Sequence, residues 1–494
     1  MTDQHPSGVT VAPDQGGRHV GVIGLAVMGE NLALNIERNG FPIAVYNRTE
    51  ARTSQFIAER AKDVNVRPAT TIQDFVAALD RPRRMIVMVK AGPAVDVVVT
   101  ELEPFLEDGD IIVDGGNSFY VDTERRAKAA ADKPFRFVGM GVSGGEEGAL
   151  WGPSLMPGGP REAYEVMEPM LTAISAKTEY GACVTHCGPG SAGHYVKMVH
   201  NGIEYGDMQL IAETYDVMRR ALGMSAGEMA EVFSRWNEGK LSSFLIETTA
   251  AVLALVDPLT NEPLVDKILD AAEQKGTGRW TSQNALDLGT PIPVIDAAVF
   301  GRSISSFKPR RMGASEILHG PTIDSQVAPE EKERILDILE DALYVAKISS
   351  YAQGMALLGA ASETYAYGLQ LDELARIWTG GCIIRAQLLG GIMSAFRNDP
   401  GLDNLLLAPD FVDTVNGGLP ACREAVLLAR THGIPCPALS AALDYVDSYR
   451  QAHLPANLIQ GLRDYFGAHT YKRIDRPGVF HTDWPTGVTT TISQ

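Results

Sequence analysis

The chain has 494 residues, too long for one ordinary compact core, so its length predicts two or three domains. Its formal net charge of -18 is spread along the sequence, which argues against binding to nucleic acid or to an anionic membrane. The five cysteines form no Cys-x-x-Cys pair, and no window stays apolar long enough to span a bilayer. We therefore expect no disulfide framework, no metal site and no transmembrane helix.

Residues 1–18 are polar and rich in Pro, Gly and Asp, without the basic and apolar regions of a secretory signal. We expect a disordered extension on a cytoplasmic protein. Residues 19–190 alternate short β-branched runs (HVGVIG, IAVYN, MIVMVK, IIVDGG, FRFVGM) with Ala-rich, charged segments. This alternation predicts a Rossmann-like domain, in which helices cover both faces of a doubly wound parallel sheet.

The strand signals end near Gly190, and residues 191–449 have the periodicity of a large all-helical domain. Residues 450–494 are rich in Pro, Gly, aromatics and His, and we expect this tail to dock on another surface because it lacks a core of its own. The helical region also contains a predicted internal duplication. GMSAGEMAEVF from Gly223 resembles GLQLDELARIW from Gly368. Each is preceded by a Glu-Thr-Tyr segment, which begins at Glu213 in the first case and at Glu363 in the second.

The first predicted strand runs into a variant dinucleotide fingerprint, in which small residues let a pyrophosphate approach the backbone at a helix N-terminus. The predicted cofactor-binding residues of this turn are Gly24, Leu25, Ala26, Val27, Met28 and Gly29. The second strand ends in Asn47, Arg48 and Thr49, about 20 residues after the glycines, where an NAD enzyme places a carboxylate. A guanidinium and a hydroxyl there favour NADP, whose 2′-phosphate they bind.

Two further strands end in polar or small residues. Val89, Lys90 and Ala91 follow the MIVMVK run, and Asn117 follows IIVDGG. Because the carboxyl ends of parallel strands border the ligand crevice, we expect these residues to face cofactor or substrate.

The first helix of the helical region carries a polar stripe at steps of three and four residues: Lys197, His200, Asn201, Glu204 and Tyr205. The duplication places Lys197 opposite Lys347, but it places Ser350, Tyr351 and Gly354 opposite His200, Asn201 and Glu204. The fold therefore does not require the stripe. A lysine and a glutamate seven residues apart suit a paired base and acid. Oxidation of an alcohol needs a proton acceptor, and an enediol product needs a donor.

The motifs together resemble the 6-phosphogluconate dehydrogenase family. GLAVMG, NRT, VKAG, DGGNS, VSGGEEGA, HYVKMVHNGIEY, KGTG, VFGR, LPANLIQ and RDYFGAHTY occur in the family's order from Gly24 to Tyr471. The first part, from Gly24 to Asn201, is shared with the wider β-hydroxyacid dehydrogenase superfamily.

The resemblance implies an NADP-dependent oxidative decarboxylation of 6-phosphogluconate to ribulose 5-phosphate and carbon dioxide, a reaction of the oxidative pentose phosphate pathway and of gluconate utilization. It implies that Lys197 is the base and Glu204 the acid, without a metal ion. It further implies a homodimer in which each subunit lends two residues, Arg463 and His469, to its partner's site. The substrate-binding residues implied within the subunit are Asn117, Ser143, Gly144, Gly145, His200, Asn201, Tyr205, Lys275, Thr277 and Arg302.

Two positions depart from the family pattern. Glu30 replaces a neutral polar or basic residue near the predicted pyrophosphate site, where a carboxylate opposes cofactor binding, and Arg279 replaces a lysine. Two alternatives remain open: a superfamily oxidoreductase of a small unphosphorylated 3-hydroxy acid, and a catalytically silent NADP-binding protein. A cationic phosphate pocket argues against the first, and retention of Lys197 and Glu204 argues against the second.

Overall fold

The computed structural model describes residues 18–321 and 327–492 of the chain. The predicted extension lies outside the described residues except for Arg18, which begins the first strand. Seven strands form one sheet in the order β3-β2-β1-β4-β5-β6-β7, and all neighbours are parallel except β6 and β7. The strands are β1 (Arg18–Ile23), β2 (Ile43–Tyr46), β3 (Val66–Ala69), β4 (Leu79–Val87), β5 (Asp110–Asp114), β6 (Phe135–Ser143) and β7 (Ser154–Pro157), followed by the short hairpin β8 (Lys177–Thr178) and β9 (Gly181–Ala182).

Helices cover both faces of this sheet. They are α1 (Val27–Arg38), α2 (Glu50–Glu59), α3 (Ile72–Ala77), α4 (Pro93–Leu102), α5 (Tyr120–Ala130), α6 (Gly145–Trp151) and α7 (Arg161–Ile174). Successive residues of β1 point to opposite faces, so Val22 belongs to one hydrophobic core and Ile23 to the other. Burial on both sides explains why the central strands are continuous apolar runs.

The order of the strands reverses between β1 and β4, and a crevice at the carboxyl ends of such strands is the usual ligand site of this sheet type. Two strands of this seven-stranded sheet, β3 and β7, were not predicted from the sequence. β3 contains Arg67 and Pro68. An edge strand tolerates both residues, but they interrupt the run of β-branched residues by which a strand is predicted. β7 is only four residues long, and its antiparallel pairing with β6 extends the sheet beyond the alternating pattern.

The following region is helical, and the described elements confirm the predicted fold class. The helices are α8 (Ala192–Arg220), α9 (Ala226–Trp236), α10 (Phe244–Ala254), α11 (Thr277–Asp287), α12 (Pro293–Ser305), α13 (Lys308–Ser315), α14 (Lys332–Thr364), α15 (Leu371–Ile377), α16 (Leu388–Asn398), α17 (Pro409–Thr431) and α18 (Pro437–Tyr449). None of the described helices is both long and apolar enough to span a membrane.

The helix order supports the predicted duplication. A long helix, α8, is followed by α9 and α10, and a second long helix, α14, is followed by α15 and α16. The segments before α10 and α16 form an antiparallel bridge at Ser243 and Ala386. The Phe244 N–H donates to the Arg385 carbonyl at 3.0 Å, and the Gln387 N–H donates to Ser242 at 2.9 Å. This reciprocal pairing of equivalent segments is what two related halves produce.

The chain divides into two compact units, residues 1–443 and 444–494. The second unit contains α19 (Ala456–Gly467) and the antiparallel strands β10 (Tyr471–Lys472), β11 (Val479–Asp483) and β12 (Val488–Ile492). Its centre is Asp464, whose carboxylate accepts hydrogen bonds from His481, Trp484 and the backbone N–H groups of Thr470 and Thr482. A polar hub therefore organises a segment that has few buried apolar side chains. The boundaries predicted at residues 190 and 449 stay predictions.

Candidate active site

The fingerprint turn joins β1 to α1 through two glycines that no other residue can replace without a clash. Gly24 has a φ of +98°, and a Cβ added to it would lie 2.5 Å from the Met88 carbonyl oxygen. A Cβ on Gly29 would come within 1.9 Å of the Gly24 carbonyl oxygen. The Leu25 N–H donates to Asn47 Oδ1 at 3.1 Å, which links the turn to the end of β2. The turn thus presents its backbone at a helix N-terminus, as a bound pyrophosphate requires.

Of the other predicted cofactor residues in this turn and after β2, Leu25 is buried and the rest are partly or fully exposed. Ala26 and Val27 are exposed, and Met28 is half-buried. Arg48 and Thr49 follow β2 and are also exposed, and Arg48 makes no ion pair within the described part of the chain. Arg48 is therefore available to a ligand phosphate.

A cavity of about 960 Å³ lies beyond the ends of β4 and β5. It is lined by Val89, Lys90, Ala91, Gly92, Asn117, Phe119, Asp122, Asn201, Glu204, Tyr205, Glu273, Lys275, Thr277, Trp280 and Arg302. The structure therefore brings together strand-end residues, part of the helical stripe and the KGTG and VFGR motifs. The fingerprint turn, Lys197, His200 and the segment from Ser143 to Gly145 are not among the residues that line it.

Five lining residues were not predicted: Gly92, Phe119, Asp122, Glu273 and Trp280. The rings of Phe119 and Trp280 pack with their centroids 4.7 Å apart. Their sequence positions carried a usable signal, because Phe119 directly follows DGGNS and Trp280 follows Arg279 in the KGTGRW run. Glu273 and Asp122 belong to no motif in the sequence, so no sequence pattern could have identified them.

The polar stripe of α8 is largely buried. Lys197 is 5% exposed and His200 is fully buried, whereas the Glu204 side chain retains 21% exposure. The His200 Nδ1 atom lies 3.5 Å from Lys197 Nζ and 3.9 Å from Glu204 Oε2. The same atom lies 3.1 Å from Asn201 Oδ1. His200 thus stands between the predicted base and the predicted acid.

Burial shifts the protonation equilibria of these three side chains. It lowers the pKa of Lys197, and the nearby Glu204 carboxylate only partly opposes this shift. It raises the pKa of Glu204, against the effects of Lys197 and Arg302. Burial, together with the charge of Lys197, holds the pKa of His200 well below 6.5. Near neutral pH these directions favour an uncharged imidazole, a lysine able to accept a proton and a glutamate able to donate one.

The turn after β6 carries Ser143, Gly144 and Gly145. The Ser143 hydroxyl lies 3.2 Å from His200 Nε2, so the turn is held against α8. Gly144 has a φ of +122°, and a Cβ there would lie 2.6 Å from the Gly381 carbonyl oxygen. The conformation of this turn therefore depends on glycine, and it opens α6.

The cationic side of the cavity contains Lys275, Arg302 and Tyr205. The Arg302 guanidinium lies over the Tyr205 ring, 3.8 Å from its centroid, and donates to the Glu273 backbone carbonyl at 3.0 Å. Lys275 is exposed, and Thr277 opens α11 beside it. Two cations, a phenol and a hydroxyl at one end of a cavity suit a phosphate group.

The two predicted residues of the tail lie in the second unit. Arg463 is exposed and donates to Gln460 Oε1 at 2.9 Å. His469 is exposed, and its ring packs edge-on against Phe466. Their contribution to a partner's site stays a prediction.

The fold and the cavity define a dinucleotide-dependent dehydrogenase whose nucleotide-binding sheet is followed by a helical domain. Residues 19–188 match the family model described as the NAD binding domain of 6-phosphogluconate dehydrogenase, and residues 193–484 match the model of the C-terminal domain of 6-phosphogluconate dehydrogenase. The chain belongs to the 6-phosphogluconate dehydrogenase family, which confirms the family and the enzyme class predicted from its motifs.

Characterised relatives resemble the chain along nearly its whole length. It is 58% identical over 466 residues to a decarboxylating 6-phosphogluconate dehydrogenase of Synechococcus elongatus, covering 94% of this chain and 98% of the relative. It is 54% identical over 467 residues to the NADP(+)-dependent, decarboxylating enzyme of Bacillus subtilis, covering 94% and 99%. The 6-phosphogluconate dehydrogenase of Plasmodium falciparum, a solved structure, has a TM-score of 0.90 and 47% identity, covering 94% of this chain and 100% of that one.

Proposed function

We propose that the chain oxidises and decarboxylates 6-phospho-D-gluconate, giving D-ribulose 5-phosphate and carbon dioxide while NADP is reduced to NADPH. The observation that carries this proposal is the position of Glu204. It shares one face of α8 with the buried Lys197 and lines the cavity that also contains Lys275 and Arg302. The relatives from Bacillus subtilis and Plasmodium falciparum, described respectively as NADP(+)-dependent and as complexed with NADP+ and with 6-phosphogluconate, support it.

The residues present fit NADP. The backbone of the fingerprint turn would hold the pyrophosphate, because a Cβ at Gly24 or Gly29 would fill the space that the turn keeps clear. Arg48 and Thr49 would hold the 2′-phosphate, and none of the three residues directly after β2 is a carboxylate that would repel it. Val89, Lys90, Ala91 and Asn117 would border the nicotinamide half. When bound, the cofactor supplies the acceptor for the hydride that leaves C3 of the substrate.

Lys197 acts first as a base. Its lowered pKa lets the uncharged amine take the proton of the C3 hydroxyl as the C3 hydride departs, leaving a 3-keto acid. The protonated amine then polarises the new ketone, so that the electrons of the breaking bond to the carboxylate are received as an enediol while carbon dioxide leaves. Lys197 returns its proton to the C3 oxygen in this step.

Glu204 acts as the acid of the final step. It protonates the carbon that carried the carboxylate, and the proton of the C3 hydroxyl returns to Lys197, which gives the ketone of ribulose 5-phosphate. A proton passing from Lys197 to Glu204 restores both groups, so no net proton is consumed. His200 remains uncharged between them, because burial and the charge of Lys197 hold its pKa well below 6.5.

The substrate is oriented from both ends. Ser143, Gly144, Gly145 and Asn117 would bind its carboxylate and hydroxyls together with His200 and Asn201. Tyr205, Lys275, Thr277 and Arg302 would bind its phosphate, and an unphosphorylated 3-hydroxy acid would leave both cations of that set without a partner.

We also infer a homodimer with sites shared between subunits. The α19 helix exposes apolar side chains that a monomer leaves in water, with Leu458 66%, Tyr465 65% and Phe466 73% exposed. A second copy related by a twofold axis would cover this face and receive Arg463 and His469 at its phosphate site. We further infer a cytoplasmic location, since the five cysteines are buried and form no disulfide bond with one another, as suits a reducing compartment.

The test is an assay with 6-phosphogluconate and NADP that follows NADPH by absorbance and carbon dioxide by trapping. We expect equimolar NADPH, carbon dioxide and ribulose 5-phosphate. NADPH formation without carbon dioxide would point to the simple oxidoreductase, and absence of both from a folded protein that binds NADP would point to the silent nucleotide-binding protein.

A further inference from the structure

Glu30 occupies an unusual environment in the first turn of α1. Its side chain is only 7% exposed and lies between two arginines. Arg52 Nη2 contacts Glu30 Oε1 at 2.8 Å, and Arg60 Nη1 contacts Glu30 Oε2 at 2.9 Å. Both carboxylate oxygens are therefore paired, so the negative charge expected to oppose a cofactor is neutralised by guanidinium groups from α2 and its C-terminal end.

Arg52 also fixes the fingerprint turn itself. Its Nε donates to the Leu25 carbonyl at 2.7 Å, while the Leu25 N–H donates to Asn47 Oδ1 at 3.1 Å. Both backbone polar groups of Leu25 are thus bound by the segment that leads from β2 into α2. Glu30 holds the Arg52 guanidinium from the other side, so the side chain is fixed by two contacts in a defined position.

Arg52 retains capacity for a ligand. A guanidinium has five N–H donors, and the contacts to Leu25 and Glu30 engage only part of this set. The side chain is 39% exposed and begins four residues after Arg48, in the segment after β2 that faces the adenosine ribose in this fold. Glu30 pairs with Arg52 and Arg60, whereas Arg48 makes no ion pair within the described residues.

We propose that Arg52 is a second cation for the 2′-phosphate of the cofactor and that Glu30 is the positioning residue that holds it there. A phosphate monoester is nearly dianionic at neutral pH, and two guanidiniums, Arg48 and Arg52, match that charge better than one. Glu30 then supports cofactor binding instead of opposing it. This inference rests on the proposed NADP dependence and adds a residue to it.

The experiment is calorimetric titration with 2′,5′-ADP and with 5′-AMP, which differ in the 2′-phosphate and need no substrate turnover. Arg52→Gln should weaken 2′,5′-ADP by roughly 10-fold or more, as for loss of a charged hydrogen bond, and 5′-AMP by less than about 3-fold. Arg67→Gln is the matched control, because it removes an exposed arginine from β3 and should leave both ligands unchanged. An equal loss for both ligands would show that Arg52 serves only the turn and would overturn its proposed role.

Glu30→Gln separates the positioning role from simple repulsion. If Glu30 holds Arg52, the variant weakens 2′,5′-ADP by about 3-fold, and the loss disappears when Arg52→Gln is already present. If Glu30 repels phosphate, the same variant binds 2′,5′-ADP more tightly, and the positioning role is wrong. Should Arg52→Gln fail to fold, Arg52→Lys keeps the charge without the Nε contact. It must then retain the preference for 2′,5′-ADP over 5′-AMP, and loss of that preference counts against the proposal. A wild-type protein that binds 2′,5′-ADP but does not oxidise 6-phosphogluconate would instead refute the proposed function alone.

Discussion

Substitution of Glu204 by glutamine tests the last chemical step apart from the earlier ones. The amide keeps the volume of the side chain beside His200, 3.9 Å away, but it has no acidic proton to give. Loss of a general acid lowers turnover by about 100-fold to 10,000-fold. We expect turnover to fall by at least about 100-fold, because no other carboxylate lies on the polar stripe of α8 between Lys197 and Tyr205. The KM for either ligand should change by less than about 3-fold, since Glu204 acts after both are bound.

The measurement that isolates this step is a rapid-mixing experiment with substrate and NADP in excess over enzyme. Because oxidation precedes protonation, Glu204→Gln should form close to one NADPH per site in a fast phase and then turn over slowly. The exposed Glu231→Gln on α9 is the control and should behave as the wild type. A slow first NADPH would place Glu204 in the oxidation step, and near-normal turnover would remove it from the mechanism.

The same carboxyl predicts a pH effect. Burial raises the pKa of Glu204, so the protonated acid persists closer to neutral pH than in an exposed glutamate. Wild-type kcat should fall as the pH rises through this raised pKa, and that limb of the profile should be absent in the glutamine variant. A limb that survives the substitution would have to come from another group.

Four further predictions address the cofactor site, the base, the helical core and the dimer. Arg48→Ala should raise the KM for NADP by about 10-fold or more and leave that for NAD nearly unchanged, whereas equal losses would refute the 2′-phosphate contact. Lys197→Met should lower kcat by at least about 100-fold yet stabilise the fold. Because burial lowers the pKa of Lys197 from 10.5, the stabilisation should be greatest below the folded-state pKa and vanish as the pH approaches 10.5, as thermal unfolding at several pH values would reveal. Lys347→Met should lower the free energy of unfolding by about 3–5 kcal/mol in urea titrations, because it leaves the buried Asp207 carboxylate without its partner. Adding Asp207→Leu should recover most of this loss, and a double variant that stays equally unstable would refute the explanation. Lys197→Ala and Arg463→Ala dimers, each nearly inactive, should regain activity when unfolded and refolded together, and mixed dimers without activity would refute the shared site.

The fold class and part of the cavity could be predicted because they rest on local patterns, whereas Lys275, Thr277 and Arg302 were implied only by the family resemblance. The fingerprint glycines, the strand ends and the stripe of α8 follow from spacing alone, and parallel strands bring their carboxyl ends to one edge. Glu273 and Asp122 could not be found in this way, because their place in the cavity depends on how distant elements pack. The same limit applied to Glu30, whose partners Arg52 and Arg60 belong to a different helix and to the residue that follows it.

The tail shows another limit of sequence patterns. Its composition correctly indicated a segment with few buried apolar side chains, but it gave no sign that Asp464 would accept four hydrogen bonds and organise a helix and three strands. A buried carboxylate is stabilised by donors that lie up to 20 residues away in the chain. Periodicity does not encode such contacts, since it reports which face of an element is buried and not which polar partners meet there.

The two aligned lysines, Lys347 and Lys197, have different surroundings within the same helical fold. Lys347 in α14 is buried and its Nζ contacts both oxygens of Asp207, at 2.7 and 2.8 Å, which makes a buried ion pair. Lys197 in α8 is equally buried, but within the described residues no carboxylate lies within ion-pair distance of its Nζ. The alignment of Glu213 with Glu363 places the apolar Leu357 opposite Asp207, so the second half lacks the carboxylate that would have paired with Lys197. Absence of that partner leaves desolvation as the dominant effect on Lys197, and desolvation favours the uncharged amine that the proposed base requires.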